Sequence, residues 1–301
     1  MRIGMVGLGR MGGNMTKRLL RNGHEVVGFA RSADSVAAVE RDGALGAHSL
    51  EEVVSHLDAP RAVWLMIPAG DPTEEAIEKL SDLLDAGDVI VDGGNSRYSD
   101  SVRRAEKLAA RDISFIDSGT SGGIWGLDNG YCLMVGGDKD AVERLRPIFE
   151  ALAPEGGFAH VGPPGAGHFT KMVHNGIEYA LMQAYGEGFE LLHSSEFELD
   201  VGQIAELWNH GSVVRSWLLE LAAAAFQDDP ELTDVAPYIE DSGEGRWTLE
   251  HAINNAIPVP TIATALFARF ASRQDASFAG KVIAALRKEF GGHAVRKPAG
   301  E

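Results

Sequence analysis

Arg2-Ile3-Gly4-Met5-Val6-Gly7-Leu8-Gly9-Arg10-Met11-Gly12 decides the fold. It starts as an apolar β-type run, passes through G-x-G-x-x-G, and enters a helical pattern at Met11–Arg21. The bare glycine pattern is common by chance, so its strand-to-helix context carries the reading. Gly7 permits the tight turn, Gly9 lets the backbone approach a pyrophosphate, and Gly12 allows close helix–strand packing. The helix N-terminus then faces the phosphate charge. The alternative is a Gly-rich turn that holds no ligand.

Working outward, short β-type runs alternate with amphipathic segments. Candidate strands are Arg2–Val6, Glu25–Phe29, Ala62–Ile67, Asp88–Val91, Ile113–Asp117 and Tyr131–Val135; helical patterns lie between them at Thr73–Leu84, Tyr98–Ala110 and Asp140–Leu152. Such alternation implies βαβ units and a mainly parallel sheet, and continuous apolar strands fit burial on both faces. Beyond Val161-Gly162-Pro163-Pro164-Gly165 helical periodicity dominates, with no convincing strand. The expected class is therefore an α/β Rossmann-like doubly wound domain over residues 1–163. An all-α domain over 164–301, for substrate binding and dimerisation, is expected to follow.

The cofactor is read from the end of the second strand. An NAD site usually carries Asp or Glu there for the ribose 2′-hydroxyl. Here Ala30, Arg31 and Ser32 stand instead. Arg supplies a planar donor fork suited to phosphate, so NADP is expected over NAD, with NAD still open. The alternative is that Arg31 is only a solvated loop residue. Ile67 and Pro68, after the third candidate strand, are read as cofactor-facing with Gly7, Leu8, Gly9, Arg10, Met11 and Gly12.

Bulk composition narrows the partners. With 44 acidic and 27 basic residues the net charge is −17. That disfavours nucleic acid and an anionic membrane surface, while a local cluster of Arg and Lys still suits a small anionic substrate. No apolar run is long enough to span a bilayer, and no signal segment precedes Met1, so a cytoplasmic protein is expected. The lone cysteine, Cys132, lies in the apolar run YCLMV and reads as a packed core thiol. No ligand-spaced His/Cys cluster or acidic trio is found, so no metal is expected.

Within GAGHFTKMVHNGIEY, starting at Gly165, Lys171, His174, Asn175 and Glu178 are spaced i, i+3, i+4 and i+7. At about 100° per residue they share one helix stripe. Met172, Val173, Ile177, Ala180 and Ala184 form a mainly apolar face opposite. A base, an acid and two hydrogen-bonding groups make a reaction surface, and burial would bring Lys171 and Glu178 toward working pH. Spacing alone leaves open a solvated face with an ordinary Glu–Lys pair.

These motifs together resemble the 6-phosphogluconate dehydrogenases, of the short-chain kind, within the β-hydroxyacid dehydrogenase superfamily. The superfamily motifs are GLGRMG, Gly119-Thr120-Ser121-Gly122-Gly123, and Gly165-Ala166-Gly167 leading to Lys171. The narrower ones are Ile90-Val91-Asp92-Gly93-Gly94-Asn95-Ser96 and Lys171-Met172-Val173-His174-Asn175-Gly176-Ile177-Glu178-Tyr179, with the Glu seven after the Lys as marker.

The resemblance implies oxidative decarboxylation of 6-phosphogluconate to ribulose 5-phosphate and CO2, a step of the pentose phosphate pathway. It implies Lys171 as general base and Glu178 as general acid. Asn95 would contact substrate and the nicotinamide side, and Ser121, Gly122 and Gly123 the carboxylate end. His174 and Asn175 would bind substrate hydroxyls or carboxylate, and Tyr179 the phosphate. Gly245-Arg246-Trp247-Thr248 resembles a G-K-W-T element, and Phe267-Ala268-Arg269 an F-A-R element whose Arg269 binds phosphate. The stretch from Arg287 to His293 resembles R-x-x-F-G-x-H, lent by one subunit to its neighbour, which implies a homodimer or homotetramer. The chain lacks most of the long enzymes' second helical domain, which leaves the tail and the oligomer open. Two other readings remain: a non-decarboxylating 3-hydroxyacid or aldonate dehydrogenase, and a dinucleotide-binding protein without catalysis.

Overall fold

The computed structural model describes residues 1–291, 294 and 296. The chain divides into two compact units, Met1–Gly176 and Ile177–Glu301.

In the first unit the elements run β1 (Arg2–Val6), α1 (Arg10–Arg21), β2 (Glu25–Phe29), α2 (Ala33–Arg41), β3 (Leu45–Ala47), α3 (Leu50–Ser55), β4 (Ala62–Leu65), α4 (Asp71–Leu83) and β5 (Val89–Asp92). They continue as α5 (Tyr98–Ala109), β6 (Ser114–Ser121), α6 (Gly126–Asn129), β7 (Cys132–Gly136), α7 (Lys139–Leu152) and β8 (Phe158–Gly162). The sheet order is β3-β2-β1-β4-β5-β6-β7-β8. All pairs are parallel except β6 with β7. Two apolar clusters flank the sheet, one containing Ile3, Met15, Trp64 and Phe149, the other Val27, Val53, Ile77 and Phe115. The central strands β4 and β5 are buried along their whole length, which is why residues 62–65 and 89–91 read as unbroken apolar runs. The Rossmann-like expectation holds.

A long helix, α8 (Ala166–His193), begins in the first unit and continues into the second. After it come α9 (Val201–Asn209), α10 (Trp217–Asp228), α11 (Glu244–Asn254), α12 (Pro260–Ala271) and α13 (Phe278–Gly291). The second unit is all helical among the described residues. Its largest cluster centres on Phe189, Val201, Ala205, Leu219 and Ala223, with Phe226 edge-on to Phe189 at 4.9 Å.

Two sequence expectations are corrected. Cys132 is exposed rather than packed in the core, because it sits at the end of the β6–β7 ladder opposite Ser121. On α8 the face expected to be an apolar packing face is also not uniformly packed. Met172 is buried, but Ile177 is 51% exposed and Ala184 is exposed, while Lys171 and Asn175 are only 8% and 7% exposed. The solvated-face alternative for Lys171 and Asn175 falls with it.

Candidate functional site

The chain leaves β1, β2 and β3 toward one side of the sheet and returns through β4 next to β1, so the strand order reverses between β1 and β4. Ligands of open α/β sheets bind outside the carboxyl ends of the strands at such a switch point. A cleft of about 650 Å³ lies there, lined by Gly7, Leu8, Gly9, Ala30, Arg31, Ser32, Ile67 and Pro68 among others. Of the expected cofactor residues, Arg10, Met11 and Gly12 open α1 instead of lining the cleft, and Asn95 stands exposed beyond β5.

The glycine turn fits a pyrophosphate. Gly7 has φ +95° and its N–H donates to Phe29 O at 2.8 Å; a Cβ on Gly12 would stand 1.8 Å from Gly7 O. A Cβ on Gly9 would meet nothing within 4 Å, so packing does not demand glycine there. What the missing side chain leaves is open backbone facing outward. Gly9 caps α1 without a side-chain hydrogen bond, leaving the first N–H groups of the helix for an anion.

The loop after β5 is held from below. Asp92, fully buried, accepts from Gly94 N at 3.1 Å, Ser96 Oγ at 2.7 Å and Arg104 Nη1 at 3.0 Å. Arg104 is itself buried and also donates to Glu74 at 3.0 Å. This bracket fixes both sides of Asn95 while leaving Asn95 exposed.

Lys171 is placed by β6 and the start of α8. Asp117, fully buried on β6, accepts from Gly165 N at 2.6 Å and His168 N at 2.7 Å, and so caps α8 from a neighbouring strand. A Cβ on Gly167 would stand 2.4 Å from Asp117 O. Without side chains there, the helix end seats directly on the strand. Lys171 Nζ then donates to Asn175 Oδ1 at 2.8 Å and lies 3.5 Å from His174 Nδ1, which is 3.1 Å from Asn175 Oδ1. Lys171, His174 and Asn175 thus form one cluster. Half-buried Glu178 follows two turns after Lys171 on the same helix. Ser121 ends β6, and Gly122 at φ +124° and Gly123 at φ +52° follow it.

The second unit gathers another part of the expected set. Arg269 lies over the buried Tyr179 ring, 3.5 Å from its centroid, and donates to Glu240 O at 2.8 Å. Tyr179 Oη is 3.3 Å from Ser242 Oγ, and Ser242 Oγ donates to Glu244 Oε2. Glu244 is 2% exposed, and its Oε1 has no partner among the described residues. Arg246 is paired with Asp241 at 2.6 Å and stacks on Phe270. Arg287 is exposed on α13, and His293 lies outside the described residues.

Sequence reading missed Glu51 and Lys79 on the cleft wall, and the carboxylates Asp92, Asp117 and Glu244. A signal existed for two of them: Asp92 and Asp117 each follow apolar strand residues at positions buried on both faces.

Comparison with known proteins agrees in both halves. Residues 2–162 match the NAD binding domain of 6-phosphogluconate dehydrogenase, and residues 167–289 match its C-terminal domain. A Haloferax volcanii protein named 6-phosphogluconate dehydrogenase, NAD(+)-dependent, decarboxylating is 46% identical over 300 residues, 99% of either chain. A Bacillus subtilis protein of the same name is 38% identical, but the match covers 90% of this chain and only 61% of that one. The Plasmodium falciparum 6-phosphogluconate dehydrogenase, solved with NADP+ and with 6-phosphogluconate, has TM-score 0.84 and 29% identity, covering 100% of this chain and 67% of that one.

Proposed function

The chain belongs to the 6-phosphogluconate dehydrogenase family of oxidoreductases, and on that premise we propose that it converts 6-phosphogluconate to ribulose 5-phosphate and CO2 while reducing NADP. Residues 1–163 serve the dinucleotide and 164–301 serve substrate binding and contact between copies, in a cytoplasmic homo-oligomer. The observation that carries the reading is the buried Lys171, with Nζ 2.8 Å from Asn175 Oδ1.

A bound nicotinamide dinucleotide supplies the hydride acceptor. Gly7, Gly9 and the N-terminus of α1 hold its pyrophosphate, and Arg31 with Ser32 faces a 2′-phosphate. Lys171, neutral in the reactive complex, takes the carbon-3 hydroxyl proton as the carbon-3 hydride leaves. The Lys171 ammonium then donates to the new carbonyl oxygen while CO2 departs, where negative charge would otherwise build. Glu178 protonates the carbon that lost CO2 while Lys171, neutral again, takes back the enol proton, giving ribulose 5-phosphate. His174 and Asn175 hold Lys171 and bind substrate oxygens, Asn95 and Ser121-Gly122-Gly123 hold the carboxylate end, and Tyr179, Arg246 and Arg269 take the phosphate. Arg287 and His293 are assigned to a neighbouring copy's site.

A second reading, unphosphorylated gluconate as substrate, draws support from Glu244. Its carboxylate lies in the Tyr179–Ser242 cluster, where a hydroxyl finds an acceptor and a phosphate dianion meets like charge. One assay separates these: purified protein with 6-phosphogluconate or gluconate, each cofactor in turn, measuring CO2 alongside reduced nicotinamide. Equimolar CO2 and NADPH from 6-phosphogluconate is the expected result. Reduced cofactor without CO2, or faster turnover of gluconate, overturns it.

A further inference from the structure

We propose that Glu51 and Lys79, both lining the nucleotide cleft, set how strongly this chain prefers a phosphate to a hydroxyl on the adenosine ribose; the inference rests on the dinucleotide reading above. In the β2–β3 ladder Phe29 pairs with Ala47, so the chains leaving the two strands emerge side by side. Arg31 and Ser32 leave β2, and His48 and Ser49 follow β3 into Leu50 and Glu51 of α3, all of them on the cleft wall. Glu51 belongs to the first turn of α3 and is exposed.

From α4 the cleft lining gains Glu75 and, one turn later, Lys79, both exposed. The Glu51 carboxyl is held below the usual Glu range by its own backbone N–H and the Ser49 hydroxyl, and the Lys79 charge acts the same way. The cleft therefore carries two cations, Arg31 and Lys79, against two carboxylates, Glu51 and Glu75.

This balance changes what the end of β2 implies. No acid stands there, yet Glu51 brings one to the same rim from α3. A ribose 2′-hydroxyl finds in Glu51 the acceptor that β2 does not provide. A 2′-phosphate beside Arg31 instead meets the Glu51 charge, which Lys79 offsets. Glu51 thus favours the hydroxyl and Lys79 the phosphate.

The test is calorimetric titration of the full chain with 2′,5′-ADP and with 5′-AMP, without any turnover. Glu51→Gln should tighten 2′,5′-ADP roughly tenfold relative to 5′-AMP, and Lys79→Met should weaken it by about the same factor. Binding of 5′-AMP reports an intact cleft in either variant. If both variants keep the two affinities in the wild-type ratio within about twofold, a weak surface-pair effect, the inference is overturned while the dehydrogenase reading stands. A wild-type chain that binds neither nucleotide overturns both.

Discussion

Gly119 on β6 lies against Lys171 on α8: a methyl group at Gly119 would stand 2.5 Å from Lys171 Cβ and 2.8 Å from Gly167 O. Those atoms belong to the helix backbone and its first side-chain carbon, so the clash cannot be relieved by a flexible tip. Gly119→Ala should therefore displace the start of α8 and Lys171 with it. Turnover should fall about tenfold or more, given how steeply proton transfer depends on position. Nucleotide affinity, set at β1 and β2, should stay unchanged. Steady-state kinetics and nucleotide titration on the same preparation check this; equal losses in both contradict it.

Arg31 carries the cofactor expectation. Arg31→Ala should lower kcat/KM for NADP about tenfold or more, the weight of a charge-assisted contact, and leave NAD within about twofold. Equal losses with both cofactors would mean that Arg31 faces no 2′-phosphate.

Beneath Asn95, Arg104 and Asp92 form an ion pair with both side chains 1% exposed. Arg104→Met leaves Asp92 buried without its cation. The expected cost is about 3–5 kcal/mol of unfolding free energy, read by urea denaturation. A loss below about 1 kcal/mol would show that Gly94 and Ser96 suffice for Asp92.

Asp241 gives a pH signature in the helical unit. The Arg246 hydrogen bond, opposed by burial and reinforced by Arg273, holds its carboxyl down at about 2 from 3.8. A depressed carboxylate contributes stability above its unfolded value and loses it as pH falls through the folded one. The melting-temperature gap between wild type and Asp241→Asn should narrow from pH 3.8 to pH 2. A gap constant over that window contradicts the pairing.

The parts of this molecule written in local pattern were legible. The first glycine turn, the buried strands and the helical second half follow from periodicity and turn chemistry. The short edge strand β3 was not, because Leu45 is exposed and Gly46 interrupts any apolar run. β8 alternates half-buried and exposed residues between Gly and Pro punctuation, and gave no strand signal. Within the site, the polar stripe of α8 was legible as a pattern, but its burial was not. Lys171 is buried by Gly119, far away in sequence, and the helix is capped by Asp117 across 48 residues. Glu51 joins Arg31 only because β3 pairs with β2.

In the proposed reaction Lys171 moves the protons from its buried place beside Asn175. The most direct measurement is kcat of Lys171→Met with 6-phosphogluconate, taken with the affinity of the same preparation for NADP. The expected result is a fall of roughly 10²–10⁴-fold with nucleotide affinity unchanged. Near-normal turnover by that variant would contradict it.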